Sequence, residues 1–335
     1  MKIGLSYDLK EAVPLRANHP EDALEEYDSP ETVAALAAAI GTLGHAVIKL
    51  GGGREFISNI LQEKVDLVFN IAEGLGNYRS REAQVPAILE MLDIPYSGSD
   101  PQCLAICLDK PLTKKLVATA GVPTPKWRIV ENSQQLKEMA WADFPFPVFV
   151  KPGHEGSSMG ISSGSKIEDA SELAETVAKM LERYRQPIMA EEFISGDDVT
   201  MGVVGNSPPK IVGIMRVLPQ QNGPQFVYSL EMKRDWEHLV RYECPPKLGE
   251  RVLKKIEDYS LKAFQAVGCR DFARIDFKLG PGVEPYFLEV NPLPGLNPRS
   301  GDLPIMARKM GWTYEGLIST VLNAAMGRYP QCLQK

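Results

Sequence analysis

The chain has 335 residues, of which 44% are hydrophobic and 24% are charged, so it can bury a large core and should divide into about two or three domains. Its formal net charge is −6, which excludes the basic surface that binds nucleic acid. The N-terminus has a short apolar segment followed by acids, and no segment approaches the roughly 18 consecutive apolar residues of a membrane helix. We therefore expect a cytoplasmic protein with neither nucleic acid nor membrane as a partner.

The first hundred residues alternate between predicted strands and helices. Strands are expected at residues 2–6, 46–50 and 65–70, and a helix at 30–43 with Ser29 as its N-cap and Pro30 at its first position. This order is typical of a parallel sheet, so we predict a Rossmann-like N-terminal domain over residues 1–102. No GxGxxG motif follows the first strand, and a dinucleotide-binding role is therefore poorly supported.

Two further units are predicted downstream. Helices at residues 101–107 and 111–120 lead into a smaller α+β unit, with strands at 126–131 and 146–151, a glycine-rich loop and a helix at 168–184. We assign this central unit to residues 103–186. The C-terminal unit, residues 187–335, contains further strands, a hairpin and a closing helix at 313–325.

The cysteines and histidines indicate neither disulfides nor zinc. The five cysteines include no CxxC pair, and the four histidines lack metal-ligand spacing. Cys103 and Cys107 share one face of a predicted helix and are interpreted as buried thiols. These patterns fit a reducing cytoplasm.

The segment 272–292 reads as a hairpin with one unusual face. With the period of two that a strand imposes, the core face carries Ala273, Ile275, Phe277 and Leu279 on one arm and Tyr286, Leu288 and Val290 on the other. The opposite face carries Arg274, Asp276, Glu289 and Asn291. If Asp276 pairs with Glu289, the two carboxylates repel unless a cation lies between them, and oxygen ligands of this kind suit Mg²⁺. The alternative is a solvated strand face that carries two acids.

Two glycine-containing segments could contact a nucleotide. In residues 150–162 an apolar strand ends at Lys151, and three glycines with Ser157 and Ser158 follow, which could bind phosphate through backbone N–H groups. The lysine precedes the glycines, so this is not a P-loop, and a glycine-rich hairpin without ligand is the alternative. In residues 189–200 a strand leads to Gly196 and two aspartates, which could meet adenine and ribose.

Taken in order, these segments resemble the ATP-grasp superfamily, and most closely the D-alanine–D-alanine ligase family. The resemblance extends over residues 66–325 and is carried by PYSGSD (95–100), LDKPLTKKL (108–116), AGVPTP (120–125), FVKPGHEGSSMG (149–160), EEFISGDDVT (191–200), LEMK (230–233), CP (244–245), GCRDFARIDF (268–277) and LEVNPLPGLNP (288–298). It implies an ATP-grasp fold, mixed α/β and α+β, with ATP between the central and C-terminal units. It also implies ligation through an acyl phosphate.

The resemblance implies roles for the polar residues. Those on the nucleotide would be Lys110 and Lys151 at the phosphates, Ser157 and Ser158 in the closing loop, Glu191 at the adenine amino group, Glu192 and Ile194 through their backbones, Phe193 against the ring, Asp198 (with Asp197 as a second candidate) at the ribose, and Lys233 at the γ-phosphate. Asp276, Glu289 and Asn291 would bind two Mg²⁺ ions, with Mn²⁺ as an alternative ion. Arg274 and the N–H of Gly295 would stabilise the oxyanion.

The region expected to bind substrate departs from the family pattern. Glu73 replaces a histidine, Arg79 and Arg81 replace acids, and Arg234 replaces a tyrosine. Glu26 is the predicted ligand of the first substrate's ammonium and Ser300 a predicted contact of the second substrate. We therefore predict Arg274, Lys233, Ser157 and Glu26 as catalytic residues. We also predict that at least one arginine faces the cleft and binds an additional acid of the substrate, since an arginine fork binds carboxylate well; a solvated helix start is the alternative.

Three functions remain open at this stage. The first is a D-alanine–D-alanine ligase for cell-wall biosynthesis, and the second is a ligase of the same chemistry that joins other amino acids or carboxylates. The third is a nucleotide-binding protein without catalysis, which would have no need of Arg274. The altered loop at residues 72–84 favours the second function over the first, and relatives of this family suggest a homodimer.

Overall fold

The computed structural model describes residues 1–14, 19–141, 143–220 and 227–333. The strands in these ranges are β1 (Lys2–Ser6), β2 (Ala46–Gly51), β3 (Leu67–Asn70), β4 (Trp127–Val130), β5 (Val148–Pro152), β6 (Lys166–Ile167), β7 (Ile188–Glu192), β8 (Asp198–Val204), β9 (Lys210–Pro219), β10 (Val240–Glu243), β11 (Phe272–Leu279) and β12 (Pro285–Asn291). The α-helices are α1 (Pro30–Thr42), α2 (Gly53–Gln62), α3 (Gln84–Met91), α4 (Pro101–Leu108), α5 (Lys110–Thr119), α6 (Ser133–Glu138), α7 (Ala170–Tyr184), α8 (Leu230–Arg234), α9 (Trp236–Leu239), α10 (Glu250–Ala266), α11 (Asp302–Lys309) and α12 (Tyr314–Gly327).

The N-terminal sheet is parallel, with strand order β2-β1-β3. Helix α1 begins as its sequence predicts, because the Ser29 side chain accepts a hydrogen bond from the N–H of Thr32 and Pro30 occupies the first turn. At the C-terminal ends of β1 and β3, the Ser6 hydroxyl donates to Asn70 Oδ1 at 2.7 Å. The loops that follow these two strand ends therefore begin side by side and face the other two sheets.

The central sheet is antiparallel, in the order β4-β7-β5-β6. Its buried side packs on α7, where Val148 and Val150 meet Leu173 and Val177. Asp169 caps the N-terminus of α7 by accepting hydrogen bonds from two backbone N–H groups. Strand β5 thereby holds Lys151 at a fixed position near its end.

The C-terminal sheet is antiparallel, in the order β10-β9-β8-β11-β12. In the hairpin of β11 and β12, Arg274 pairs with Asn291 and Asp276 pairs with Glu289, as the polar pattern predicts. A β-bulge beside Asp276 then leaves Leu288 without a partner, and Phe277 pairs with Phe287.

The bulge corrects one expectation about the hairpin. Tyr286 and Leu288 were predicted for the core face by simple alternation, but Phe287 is the fully buried residue and Leu288 lines the cleft described below. One extra residue in a strand exchanges the two faces for every residue beyond it. The outer half of β12 is therefore reversed relative to the prediction.

Two other features bear on the predictions from sequence. Cys103 and Cys107 are buried, with their Sγ atoms 3.9 Å apart, and Cys269 Sγ lies 3.8 Å from that of Cys103. Among the residues that the structure describes, no helix combines the length and the apolar character that crossing a membrane requires.

Candidate active site

A cleft of about 910 Å³ lies between the central and C-terminal sheets. Most of the residues predicted to bind nucleotide or metal line it, and they come from β5, β7, β8, β11, β12 and α8. They are Lys151, Ser158, Glu191, Glu192, Phe193, Ile194, Asp198, Lys233, Arg274, Asp276 and Glu289. The structure thus brings together residues that lie far apart in the sequence, such as Lys151 and Glu289.

One end of the cleft is built around the buried carboxylate of Glu191. Its oxygens lie 2.5 Å from Lys151 Nζ and 2.9 Å from Lys114 Nζ. Burial alone would raise the pKa of Glu191, but the two lysines hold it below its usual value. Burial lowers the pKa of Lys114 to about 8, with Glu191 opposing this effect.

Lys114 is a functional candidate that the sequence reasoning missed. It belongs to the LDKPLTKKL motif, but the sequence analysis predicts no contact for it. Its spacing of four residues from Lys110 in a helix was an available signal, because that spacing places both lysines on one helical face. Lys114 Nζ also donates to Thr124 Oγ1 at 2.8 Å and to the carbonyl of Phe287 at 3.2 Å.

The same end of the cleft has an apolar wall. Phe193 packs against Phe149, with ring centroids 6.4 Å apart, and Lys166 Nζ lies 5.1 Å from the Phe193 centroid. Flat apolar side chains of this kind can stack on a purine ring. Of the two aspartates considered for the ribose, Asp198 lines the cleft and pairs with Lys278 at 2.8 Å, whereas Asp197 pairs with Arg216 at 2.6 Å.

Asp276 and Glu289 line the same cleft from directly opposed positions of the hairpin. Asp276 Oδ1 accepts a hydrogen bond from Thr200 Oγ1 at 2.7 Å, and Glu289 Oε2 lies 2.8 Å from Lys110 Nζ. Burial would raise the pKa of Glu289, but Lys110 and then Lys151 hold it far below its usual range. Glu289 is therefore kept anionic as an oxygen donor.

Asn291 lies on the same face of the hairpin as Asp276 and Glu289, but it is not among the described residues that line the cleft. It pairs with Arg274 across the hairpin, and its Oδ1 accepts a hydrogen bond from the N–H of Leu293 at 3.0 Å. Two carboxylates and one amide oxygen form an all-oxygen donor set, and this set fits a hard divalent cation such as Mg²⁺.

Lys233 and Arg274 lie at the other end of the cleft. Lys233 Nζ sits over the ring of Tyr228, 5.2 Å from its centroid, and burial followed by the charge of Arg274 lowers the pKa of Lys233. The Arg274 guanidinium forms a fork on Asp276, with Nε 2.9 Å and Nη2 2.8 Å from the carboxylate oxygens. Its Nη1 lies 3.3 Å from Asp302 Oδ2. Asp302 also lines the cleft and was not anticipated from the sequence.

The substrate side corrects the predictions for Glu26 and Arg81. The Arg81 side chain is 3% exposed and forms an ion pair with Glu26. It also donates to Glu155 at 2.9 Å and to the carbonyl of His154 at 3.1 Å. Glu26, which was predicted to bind the ammonium of the first substrate, is therefore already paired with a cation of the protein. Arg81 was predicted to bind an acid of the substrate, but its guanidinium is bound to acids of the protein.

Arg79 does not take over that role. Its side chain is 76% exposed, and its nearest acid is Asp109, at 3.6 Å. Neither Arg79 nor Arg81 is among the described residues that line the cleft. The expectation that one of them faces the cleft is not met in this structure, because Arg81 turns inward to the two glutamates and Arg79 turns to solvent.

Acids accumulate around Arg81. Burial, followed by the charges of neighbouring glutamates, raises the pKa of Glu73 well above its usual value and that of Glu82 to about 8. Burial also raises the pKa of Glu155 to about 7, against the effect of Arg81. Glu73, which stands where the family has a histidine, therefore adds one more carboxylate to a region that already has more carboxylates than cations.

The glycine-rich loop, residues 153–160, contacts the segment between β1 and α1. The Gly160 N–H donates to Asp22 Oδ2 at 2.7 Å, and the Tyr184 hydroxyl donates to the same oxygen at 2.9 Å. Ser157 and Ser158 adopt positive φ angles of 46° and 60°, and the Ser158 hydroxyl donates to the Tyr228 carbonyl at 3.4 Å. Ser158 lines the cleft, whereas Ser157 lies beside it, half-buried.

The remaining predicted residues lie on the rim. Gly295 and Ser300 are exposed, and the Ser300 N–H donates to Asn297 Oδ1 at 3.1 Å. Arg234, which stands where the family has a tyrosine, pairs with Glu25 at 2.7 Å. Gly295, Ser300 and Arg234 are not among the described residues that line the cleft.

Comparison with known proteins agrees with this geometry. Residues 116–323 match the family model described as D-ala D-ala ligase C-terminus. A D-alanine–D-alanine ligase of Aquifex aeolicus is 34% identical over 88% of this chain and 94% of its own length. A crystal structure of a D-alanine–D-alanine ligase from Bacillus anthracis complexed with ATP superposes with a TM-score of 0.75 at 21% identity, covering 100% of both chains. The crystal structure of VanG D-Ala:D-Ser ligase from Enterococcus faecalis superposes with a TM-score of 0.74 at 22% identity, and the match covers 97% of this chain and 99% of that chain. The predicted ATP-grasp fold is confirmed.

Proposed function

The chain belongs to the D-alanine–D-alanine ligase family of ATP-dependent ligases that form C–N bonds, and we propose that it joins a carboxylate to an amine through an acyl phosphate. The observation that carries this proposal is one cleft in which Lys233, Arg274, Asp276 and Glu289 adjoin the Glu191 end. A protein that only binds nucleotide does not need Arg274 beside the metal-binding acids. Catalysis is therefore favoured over a purely nucleotide-binding function.

Each group in the cleft has a part in this chemistry. Lys110, Lys151 and Lys233 supply positive charge where the γ-phosphoryl group is transferred to a substrate carboxylate. Asp276, Glu289 and Asn291 would hold a divalent metal, which would supply positive charge beside the transferring phosphoryl group. Arg274 and the Gly295 N–H stabilise the oxyanion when an amine attacks the acyl phosphate. The loop at residues 153–160 excludes water, which would otherwise hydrolyse that intermediate.

The finer details belong to the same proposal. We assign two Mg²⁺ ions to the site, with Mn²⁺ as an alternative, and divide the chain into domains at residues 1–102, 103–186 and 187–335. A homodimer in the cytoplasm is the proposed form of the enzyme. The substrates are amino acids or carboxylates outside the D-alanine pair, since Arg81 and Glu73 alter the region where the first substrate binds.

The test is a screen of carboxylate and amine pairs, D-alanine included, for Mg²⁺-dependent release of ADP with mass detection of the product. Hydroxylamine serves as a general amine because it captures an acyl phosphate as a hydroxamate. We expect ADP and an amide in equal amounts. Glu289→Gln should abolish both, whereas Glu315→Gln, at an exposed position outside the cleft, should not. ADP release without amide or hydroxamate, unaffected by Glu289→Gln, would overturn the proposal.

A further inference from the structure

Asp302 is a carboxylate of the cleft to which the proposed chemistry gives no role. It is the first residue of α11, it lines the cleft, and its side chain is 11% exposed. Among the described residues of the lining, Glu191 pairs with lysines, Asp198 with Lys278, and Asp276 and Glu289 are the proposed metal ligands. Glu192 follows Glu191 at the other end of the cleft, where its Oε2 accepts a hydrogen bond from the Lys126 N–H at 3.4 Å. Asp302 is thus the acid that remains to be explained at the reaction end.

The surroundings of Asp302 fix its carboxylate beside Arg274. Its Oδ2 lies 3.3 Å from Arg274 Nη1, and its Oδ1 lies 3.5 Å from the Tyr228 hydroxyl. The hydroxyl groups of Tyr228 and Tyr242 lie 2.8 Å apart. Burial and then Asp302 raise the pKa of both tyrosines, so their hydroxyls stay neutral and available as hydrogen-bond partners. Asp302 is therefore held in place from several sides.

This arrangement leaves Arg274 with an acid on each side. Its Nε and Nη2 are directed to Asp276, and its Nη1 to Asp302. A second substrate that is an α-amino acid brings its own carboxylate, one carbon away from the attacking nitrogen. That carboxylate would meet the negative charge of Asp302, and Arg274 would be shared between the two anions.

We infer that Asp302 makes the site select, as its second substrate, an amine without a carboxylate beside the nucleophilic nitrogen. Such an amine arrives as an ammonium ion, which Asp302 attracts, and it brings no competing anion to Arg274. This inference rests on the proposed ligase function and narrows its second substrate. The alternative reading of Asp302, a helix N-terminal acid that only stabilises α11, makes no such selection.

The inference is tested with a matched pair of amines, D-alanine and D-alaninamide, which differ in the carboxylate alone. D-Alanine or the carboxylate found in the screen serves as first substrate, and kcat/KM is measured for each amine. Wild type should prefer D-alaninamide. Asp302→Asn and Asp302→Ser should each shift the preference toward D-alanine by about tenfold or more, since one charge is removed at short range. Glu315→Gln removes a first-turn acid from α12 instead, and it should leave the ratio unchanged.

The outcomes separate this inference from the ligase function on which it rests. Wild-type preference for D-alanine, or a ratio that neither Asp302 variant moves, overturns the selection by Asp302 while ligation stands. Failure of every amine, hydroxylamine included, to yield product overturns the ligase function itself. The rise in melting temperature on ATP addition shows whether each variant remains folded.

Discussion

Glu191 has an unusual environment for a carboxylate, because it is buried between two lysines that come from different elements. Lys151 ends β5, Lys114 lies in α5, and both contact Glu191 in β7. A buried acid of this kind is strongly destabilised when one of its partners is removed, because the remaining charge has no compensation from water. The three residues therefore act as one unit.

Lys114→Met is expected to lower the free energy of unfolding by roughly 3 kcal/mol, because Glu191 stays buried with one of its two cations. Urea denaturation measures this change. Lys115→Met is the matched control: Lys115 is the next residue of α5, is exposed, and lies 5.6 Å from the centroid of Trp127. Its loss should cost less than about 1 kcal/mol. Equal effects of the two changes would contradict the role assigned to Lys114.

Lys151→Ala is expected to raise the KM for ATP about tenfold or more, because Lys151 lines the cleft. It also removes one of the two cations of Glu191, so it should lower the free energy of unfolding by roughly 3 kcal/mol, as Lys114→Met does, without abolishing the fold. Steady-state kinetics at saturating magnesium gives the KM, and circular dichroism monitors the fold. An unchanged KM with normal turnover would remove Lys151 from the nucleotide site.

The polar residues of the nucleotide end could be predicted because each stands in a motif with its own spacing. Arg81 could not be placed in this way. Its partner Glu26 lies 55 residues earlier, and nothing local in either segment indicates that they meet. The charge of a side chain is visible in a sequence, whereas the charge that neutralises it depends on the tertiary structure.

At the scale of elements, the connection between β7 and β8 fixes the hairpin relative to the Glu191 end of the cleft. Gly196 in this connection has a φ of +152°, and a Cβ atom there would lie 1.7 Å from the Leu279 carbonyl oxygen at the end of β11. The backbones of two elements thus touch at a residue that has no side chain.

Gly196→Ala is expected to lower the free energy of unfolding by more than about 3 kcal/mol, because backbone must move to admit the methyl group. Gly282→Ala is the control for backbone strain alone, since Gly282 has a φ of +68° and open space around it. That change should cost about 1 kcal/mol. Thermal or urea unfolding of both variants measures the difference, and a Gly196 variant as stable as the Gly282 variant would refute the close contact.

Helix prediction succeeded where a side chain marks the start of a helix. Ser29, Asp100, Asp109, Asp169 and Thr313 all accept hydrogen bonds from first-turn N–H groups of helices that the sequence predicts. Helices α2, α8, α9, α10 and α11 were not predicted, and the residues at their N-caps make no side-chain hydrogen bond to the first turn. Helix α6 was not predicted either, although the Asn132 side chain caps it. The bulge at Leu288 was missed for a similar reason, since no glycine or proline marks it.

For the whole molecule, the acids around Arg81 impose a dependence of stability on pH. Burial raises the pKa of Glu82 from its usual value of 4.5 to about 8. The folded state then binds more protons than the unfolded state between these values. The contribution of Glu82 to stability is complete below about pH 4.5 and is lost as the pH rises through about 8.

Glu82→Gln is therefore expected to match wild type near pH 4.5 and to be more stable by up to about 5 kcal/mol at pH 9, because the amide does not acquire a buried charge. Urea titrations across this range measure the difference. The exposed variant Glu315→Gln should show no such pH-dependent change. A difference between Glu82→Gln and wild type that stays constant from pH 5 to 9 would contradict the assignment.

The bonds from Asp22 to Gly160 and Tyr184, with that from Arg81 to Glu155, fasten both flanks of the glycine-rich loop to the N-terminal domain. Ser158 of this loop lines the cleft, so under the proposed function we expect those bonds to open before products depart. Hydrogen bonds that involve none of the reacting groups then determine when products leave in each catalytic cycle. The chemical step can be complete while the loop is still bound to Asp22 and Arg81. The time that the loop needs to open then adds to the time of each turnover.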